Sequence, residues 1–505
     1  MNMLRNIKSL IAAILLVAGT TSCLDKLPES SIREGEAMQT FDDAEQLLTG
    51  IYTGLMSSSL FSGTLTVMPD IQADLAYAVE NFTNVYGPAW LWNILSTDQD
   101  VEAVYAALYG VISRCNFFLE RVDAVKQQET NYENIDMLDA YTGEVYTIRA
   151  LCYSKLIECF CKAYDPATAE NELGVVLRSK YSVPEPMKRA SLKASYEFVL
   201  NDLKQAEELL DNDNDQYNTI YATAAAAQAL HARVALYMQD YQTAVDYATK
   251  VIDNDMFQLA DANSQYSSDD TYLTYMWNYD SSFEIIWKIG FTTTSYGGAL
   301  GQVFLNANRD YTYTYPDYVP AQWVLDAYDD TDLRYDAYFY EYTTGYSNGL
   351  TWPLLIKYFG NRSFISAANI YMVSMPKLFR LSEQYLIRAE AYCNLPSPNF
   401  SAASKDLTTL RQKRYSGGAG AITVSANNWL ETISKERVRE LYMEGFRLND
   451  LKRWHMGFER TPQSCSLAEG SSLKIEADDP RFVWPIPRHE LESPGAEIAP
   501  NESNN

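Results

Sequence analysis

The sequence predicts a mainly α-helical protein: a scaffold of paired helices that carries an irregular, loop-rich part with short strands. Three observations point there. Apolar residues recur every three or four positions through most of the chain up to residue 255 and again after residue 376. Some of these runs come in pairs separated by a short polar break, the pattern of helices that fold back on one another. Between them, residues 256–375 lose the helical period and fill with Tyr, Thr, Gly and Asn.

The N-terminus predicts an address. Arg5 and Lys8 precede Leu10–Ala18, nine apolar residues, followed by Gly-Thr-Thr-Ser-Cys. A charged start and an apolar run too short to span a bilayer make an export signal over residues 1–22. The small residues before Cys23 resemble a bacterial lipobox, although Thr20 stands where leucine is more usual. Cys23 is therefore expected to be the lipidated first residue of the mature chain, held in the membrane by its acyl groups.

Helices follow in order. "FDDAEQLLTGIYTGLM" opens on acidic residues suited to a helix N-terminus, and "VYAALYGVISRCNFFLERVDAV" continues the spacing. "GEVYTIRALCYSKLIECFCKAY" stops before Asp165-Pro166, and Ser191 is the cap expected for "LKASYEFVLNDLKQAEELL". Ala224–Asp255 holds two amphipathic helices broken at Gln239-Asp240-Tyr241, with small Ala232 and Ala244 where the pair would touch. This resembles a tetratricopeptide unit. "RLSEQYLIRAEAYCNL" with "FSAASKDLTTLRQKR" forms a second such pair, and the helices near 144–164 and 191–210 a third. "FEIIWKI" is a short strand within the irregular part. So much Tyr and Trp there argues for an ordered, functional region.

Near the C-terminus, "ERVRELYMEGFRLNDLKRW" (436–454) crowds charges onto a helical pattern. Val438, Leu441, Gly445, Leu448 and Leu451 make one apolar stripe. Arg437–Glu440, Glu444–Arg447, Arg447–Asp450 and Asp450–Arg453 are each three apart, so they are expected to pair on the helix. The density of charge beside an apolar stripe predicts a helix wedged among others, in which losing one partner strands a buried charge.

Composition excludes some functions. Sixty-six acidic against forty basic residues leave a formal charge of −26, which disfavours nucleic acid. Tyr alone contributes 38 residues, a rigid face with a polar tip that suits recognition. Beyond Cys23, six cysteines (Cys115, Cys152, Cys159, Cys161, Cys393 and Cys465) make no disulfide framework. Gly345–Gly349 matches the Gly-x-Ser-x-Gly nucleophile pattern, but Trp352-Pro353 follows where a helix is required, so a hairpin turn is expected. Asp211–Asp215 opens like a calcium loop, yet Gln216 and Ala222 occupy the positions of its glycine and bidentate glutamate. His231, His455 and His489 form no metal-binding spacing, and His231 is expected to pack within its helix. No catalytic, metal or cofactor site is predicted.

Taken in order, "DAEQLLTGIYTGL", "GEVYTIRALCYSKL", "ARVALYMQDYQTAVDYATKVI", "RLSEQYLIRAEAY", "ERVRELYMEGFRLNDLKRW" and "FVWPIPRHELE…APN" resemble the SusD/RagB family of Bacteroidetes outer-membrane nutrient-uptake lipoproteins. The resemblance spans nearly all of the mature chain. It implies a tetratricopeptide-like scaffold, a surface location in the outer membrane and a SusC-like TonB-dependent transporter as partner. It also implies capture of an oligosaccharide without catalysis. The expected organisation is one continuous SusD-like domain: 23–255 helical, 256–375 irregular and aromatic-rich, 376–505 helical. One departure stands out: "ECFCKAYDPATAENELGVVL" lacks the usual Gly-Asp-Val-Pro run. Two alternatives stay open, a peptide ligand or a helical adaptor that binds only protein.

No family motif carries the ligand contacts over, so the candidates come from chemistry. Tyr86, Trp90 and Trp92 surround a Gly-Pro turn; Tyr296 sits in a Gly-rich run; Tyr311, Tyr313 and Tyr315 alternate onto one face of an extended segment. Trp90 or Trp92 with one of Tyr296, Tyr313 and Tyr315 is expected to form an arc matching a curved glycan. Trp277, Trp287 and Trp323 are expected in the core.

Overall fold

The computed structural model describes residues 37–79, 85–181, 187–306, 313–345, 351–461 and 473–504. The expected leader, Cys23, Tyr311, Cys465 and most of the Gly345–Gly349 motif lie outside them. Helices dominate. Those that carry the architecture are α1 (Phe41–Leu55), α2 (Thr64–Gln72), α3 (Gln99–Leu119), α4 (Tyr132–Phe160) and α5 (Leu192–Leu209). α6 (Ala224–Tyr237), α7 (Tyr241–Ile252), α8 (Leu381–Asn394), α9 (Phe400–Gln412), α10 (Trp429–Leu441) and α11 (Arg447–Arg453) complete the set.

Local chemistry starts these helices where the sequence places them. Thr40 and Asp43 cap α1 reciprocally, and Ser191 accepts from the Ala194 amide at the start of α5. The expected antiparallel pairs form: α4 with α5, α6 with α7, and α8 with α9. Ala232 and Ala244 are both fully buried, so the α6 and α7 backbones approach closely. Buried ion pairs link the units. Arg149 of α4 donates twice to Asp202 of α5, both at 2.7 Å, and once to Asn116 of α3. Arg233 of α6 makes the same fork with Glu383 of α8 at 2.6 and 2.7 Å. His231 packs as expected, its ring stacked 3.7 Å from that of Tyr247.

The irregular part contains β2 (Ile285–Lys288), β3 (Tyr318–Pro320), β4 (Phe339–Thr343) and β5 (Thr351–Leu355), and β1 (Ala76–Ala78) and β6 (Lys377–Arg380) pair with it from either side in the sequence. They form two-stranded antiparallel ribbons, with Tyr77 opposite Val319, Trp287 opposite Phe379 and Glu341 opposite Pro353. No helix among the described residues is long and apolar enough to cross a membrane. Cys115, Cys152, Cys159, Cys161 and Cys393 are free and buried.

The charged C-terminal segment departs from the expected single helix. It breaks into α10 and α11, with Met443 at φ 57° and Gly445 at φ 84°. A Cβ on Gly445 would sit 3.0 Å from the Thr66 carbonyl oxygen of α2, so the break needs glycine for both space and conformation. Asp70 of α2 fills the gap, accepting from the Gly445 and Arg447 amides at 3.0 and 2.8 Å. The break re-aims the charges. Only Asp450–Arg453 pairs as the spacing predicts, at 2.9 Å. Arg437 turns to Asp450, Arg447 to Asp74, and Glu440 and Glu444 to other elements.

Candidate functional site

Glu440 is fully buried and sits between three guanidinium groups: Arg334 at 3.0 Å, Arg380 at 3.0 Å and Arg414 at 2.9 Å. Glu284, just before β2, bridges Arg380 and Arg414 at 2.7 and 2.8 Å. Glu436 binds Arg334 and Arg411, each at 2.7 Å; Glu444 binds Lys357 and Arg380 at 2.5 and 2.8 Å. Burial alone would raise Glu436 and Glu440, but the surrounding arginines win and hold Glu436 down to about 2 and Glu440 well below its ordinary value. Burial pushes Lys357 down to about 8. Glu284, Glu436, Glu440, Arg334 and Arg414 are fully closed off from solvent and paired, so this cluster fastens the irregular part to α10. Among the described residues no group of His, Cys, Asp and Glu could hold a metal ion.

The aromatic candidates separate into two classes. Trp90 is 6% and Trp92 2% exposed. The Trp92 Nε1 donates to the Gln72 carbonyl at 2.5 Å, and its ring meets Phe482 edge-on at 4.9 Å. Trp90 packs under the Arg460 guanidinium, 4.8 Å from the ring centre. Neither indole offers a face to solvent, so neither Trp90 nor Trp92 supplies the ring expected of it in a glycan-matching arc. Tyr86 is half-buried, its hydroxyl 3.2 Å from that of Thr64.

Tyr296, Tyr313 and Tyr315 are on the surface, 45%, 45% and 38% exposed. Their supports are rigid. Gly297 and Gly298, beside Tyr296, press against the 56–62 turn so closely that a Cβ on Gly297 would lie 2.3 Å from the Ser62 hydroxyl. The Gly298 amide donates to that hydroxyl at 2.9 Å. The Tyr315 amide donates to the Leu305 carbonyl at 3.1 Å, and Thr314 bridges to Thr344 at the end of β4. Gly345 lies flat on the Tyr315 ring: a Cβ there would fall 2.2 Å from the ring carbon Cζ. Thr64, two residues from Ser62, holds Tyr86 against the same turn. Sequence reasoning missed Tyr340 on β4, which is 60% exposed beside Tyr342, with ring centres 5.1 Å apart. The alternation of Tyr340 and Tyr342 along a strand was the signal that could have found it.

Trp277 and Trp287 are buried as expected, but Trp323 is 37% exposed. Its helix, Gln322–Leu325, is a single turn whose Val324 and Leu325 take the inward positions. The Asp211–Asp215 stretch has a structural role at Asp215, which caps the Ala225 amide and binds Asn254, both at 2.9 Å.

Comparisons with known proteins fit this architecture. The sequence model described as "Starch-binding associating with outer membrane" matches residues 23–236, and that of the SusD family matches residues 350–493. The chain belongs to the SusD family. A crystal structure of a SusD superfamily protein from Bacteroides thetaiotaomicron is 26% identical, with a TM-score of 0.76 over 92% of this chain and 99% of that one. A putative sugar binding protein from Bacteroides vulgatus is 23% identical, with a TM-score of 0.76 over 93% and 100% of the two chains. A laminarin binding SusD-like protein is 19% identical, with a TM-score of 0.67 over 91% and 99%. No curated protein matches the chain by sequence. These exposed tyrosines thus sit on a SusD-family scaffold.

Proposed function

We propose that the chain is a non-catalytic, lipid-anchored protein of the outer-membrane surface. It captures oligosaccharides on Tyr296, Tyr313, Tyr315 and Tyr340 and passes them to a SusC-like TonB-dependent transporter. The observation that carries this reading is the exposure of Tyr296 and Tyr315 on segments that glycines pack closely against a neighbouring turn or ring. Flat C–H faces of a sugar pack on such rings, and phenol hydroxyls meet sugar hydroxyls at the rim. The family description, starch binding and association with the outer membrane, supports it. So does the start of the family match at Cys23, the residue where the mature chain is expected to begin. Tyr86, Trp90 and Trp92 then serve as framework beneath the surface.

A glycan array probed with the full chain in mild detergent tests ligand capture. Binding to at least one oligosaccharide, lost when Tyr313 and Tyr315 are both changed to Ala, is expected; peptide binding alone would refute the glycan reading. Cys23→Ala should release the protein from the membrane, and pull-down of the anchored form should recover a TonB-dependent transporter.

A further inference from the structure

A second aromatic surface lies past the far end of β3 from Tyr315. The Trp323 indole is exposed but fixed. Its Nε1 donates to the Asp74 carbonyl at 2.7 Å, and the Arg447 guanidinium lies 5.6 Å from its ring centre. Arg447 is itself clamped, donating to the Asp74 carboxylate at 2.8 and 2.7 Å and to the Ser434 hydroxyl at 2.9 Å. Trp429, the first residue of α10, is half-buried against the apolar cluster that includes Ile433. Both indoles line one groove of about 420 Å³, together with Met456, Asn427, Glu431 and Lys435.

We propose that this groove is a second saccharide-binding site, separate from the tyrosine surface; the proposal rests on the glycan-capture reading above. Trp323 is already immobilised by its own N–H, so stacking a sugar on it costs little further side-chain freedom. Asn427, Glu431 and Lys435 are exposed and supply both donors and acceptors for sugar hydroxyls. Glu431 and Lys435 pair at 2.6 Å beside the groove. A flat protein face would bury that ion pair at a cost, whereas sugar hydroxyls can replace its water. The volume falls at the low end of the range for ligand pockets, roughly 300–1,000 Å³, which suits a short stretch of a glycan chain. Two such sites on one protein hold a polysaccharide by avidity.

The test uses the full chain labelled with 5-fluorotryptophan and titrated with maltoheptaose and laminariheptaose, with Trp323→Phe and Trp429→Phe assigning the two fluorine resonances. Both resonances should move with one saccharide, and should still move when Tyr313 and Tyr315 are alanine. Trp323→Ala with Trp429→Ala should weaken that remaining binding about tenfold or more, measured at a temperature where circular dichroism shows the variant fully folded. Still resonances in protein that calorimetry shows to be saccharide-bound overturn the second site and leave the tyrosine surface standing. No saccharide binding at all by the unmodified chain overturns both. Loss of transporter recovery in the double tryptophan variant, with saccharide affinity unchanged, makes the groove a protein-docking face and overturns the proposal.

Discussion

The centre around Glu440 and the surface around Tyr315 invert the usual distribution of side chains. Charged groups are ordinarily outside, and large aromatics mostly inside. Here Glu440, Arg334 and Arg414 are fully buried, while Tyr296, Tyr313 and Tyr340 stand in solvent. Each inversion needs its own support. The buried charges are tolerated because every carboxylate meets guanidinium or ammonium groups at hydrogen-bond distance. Tyr296 and Tyr315 are held through glycines: Gly297 and Gly298 press on the 56–62 turn, and Gly345 on the Tyr315 ring. Removing a member should therefore harm stability in the first region and ligand affinity in the second.

The sharpest break in that comparison is expected at Glu440. Glu440→Gln keeps the shape but leaves three guanidinium groups sharing too little negative charge, a loss of ~3–5 kcal/mol for an interrupted buried network. Urea unfolding of the full chain measures it, and a loss under about 1 kcal/mol would show that the cluster is far less tightly coupled than its geometry indicates.

Trp92 tests the boundary between the regions. It lies in the segment expected to bind ligand but is packed like a core residue. Trp92→Ala should cost ~3–5 kcal/mol of stability, the range for emptying a large buried site, and leave the saccharide affinity of the folded protein unchanged. Lost affinity at unchanged stability would move Trp92 to the binding surface.

Buried carboxylates also differ among themselves, which gives a pH signature. Glu436, facing arginines, is held down to about 2, whereas Glu144 is pushed up to about 7 by burial, with only the Tyr52 hydroxyl as partner opposing the rise. The signs are opposite. Glu436 contributes stability that is present above the ordinary glutamate range and is lost as pH falls toward 2. Glu144 keeps its proton in the folded chain, so folding takes up a proton between its ordinary value, about 4.3, and 7, and stability declines as pH rises through that window. The decline attributable to Glu144 is on the order of 2–3 kcal/mol. Glu144→Gln should flatten it, as read from urea midpoints at pH 4.5 and 7; an unchanged slope would assign the decline to other groups, Asp70 first, since burial raises it to about 7 as well.

How much of this was legible follows from the range of the forces involved. Helices and their pairing were, because spacing and caps such as Ser191 act within a few residues. That the 436–454 charges would be buried was legible too, since they flank an apolar stripe. Their partners were not: Glu440 meets Arg334 and Arg380 across more than 50 residues of chain. Nor was the break at Gly445, which is set by the approach of α2 from the far end of the sequence. The aromatic surface was half legible. Alternation placed Tyr313 and Tyr315 on one exposed face, but the Gly-Pro turn gave no sign that Gln72 and Phe482 would close over Trp92.

The smallest expected effect is also the one that decides the function. Tyr315 packs one side of its ring on Gly345 and keeps 38% of its surface in water, so its loss costs far less packing than that of Trp92, which is 2% exposed. Tyr315→Ala should leave the thermal midpoint nearly unchanged and cost ~1–3 kcal/mol of saccharide affinity, the range for losing one stacked aromatic anchor. Tyr315→Phe separates the two parts of that contact: stacking survives and only the hydroxyl is lost, so about 0.5–1.5 kcal/mol should go. Tyr340→Ala places the newly recognised ring inside or outside the contacted area by the same measurement. If all the tyrosine variants lose stability and none loses affinity, the surface is packing that happens to be wet, and the contrast with the Glu440 centre fails.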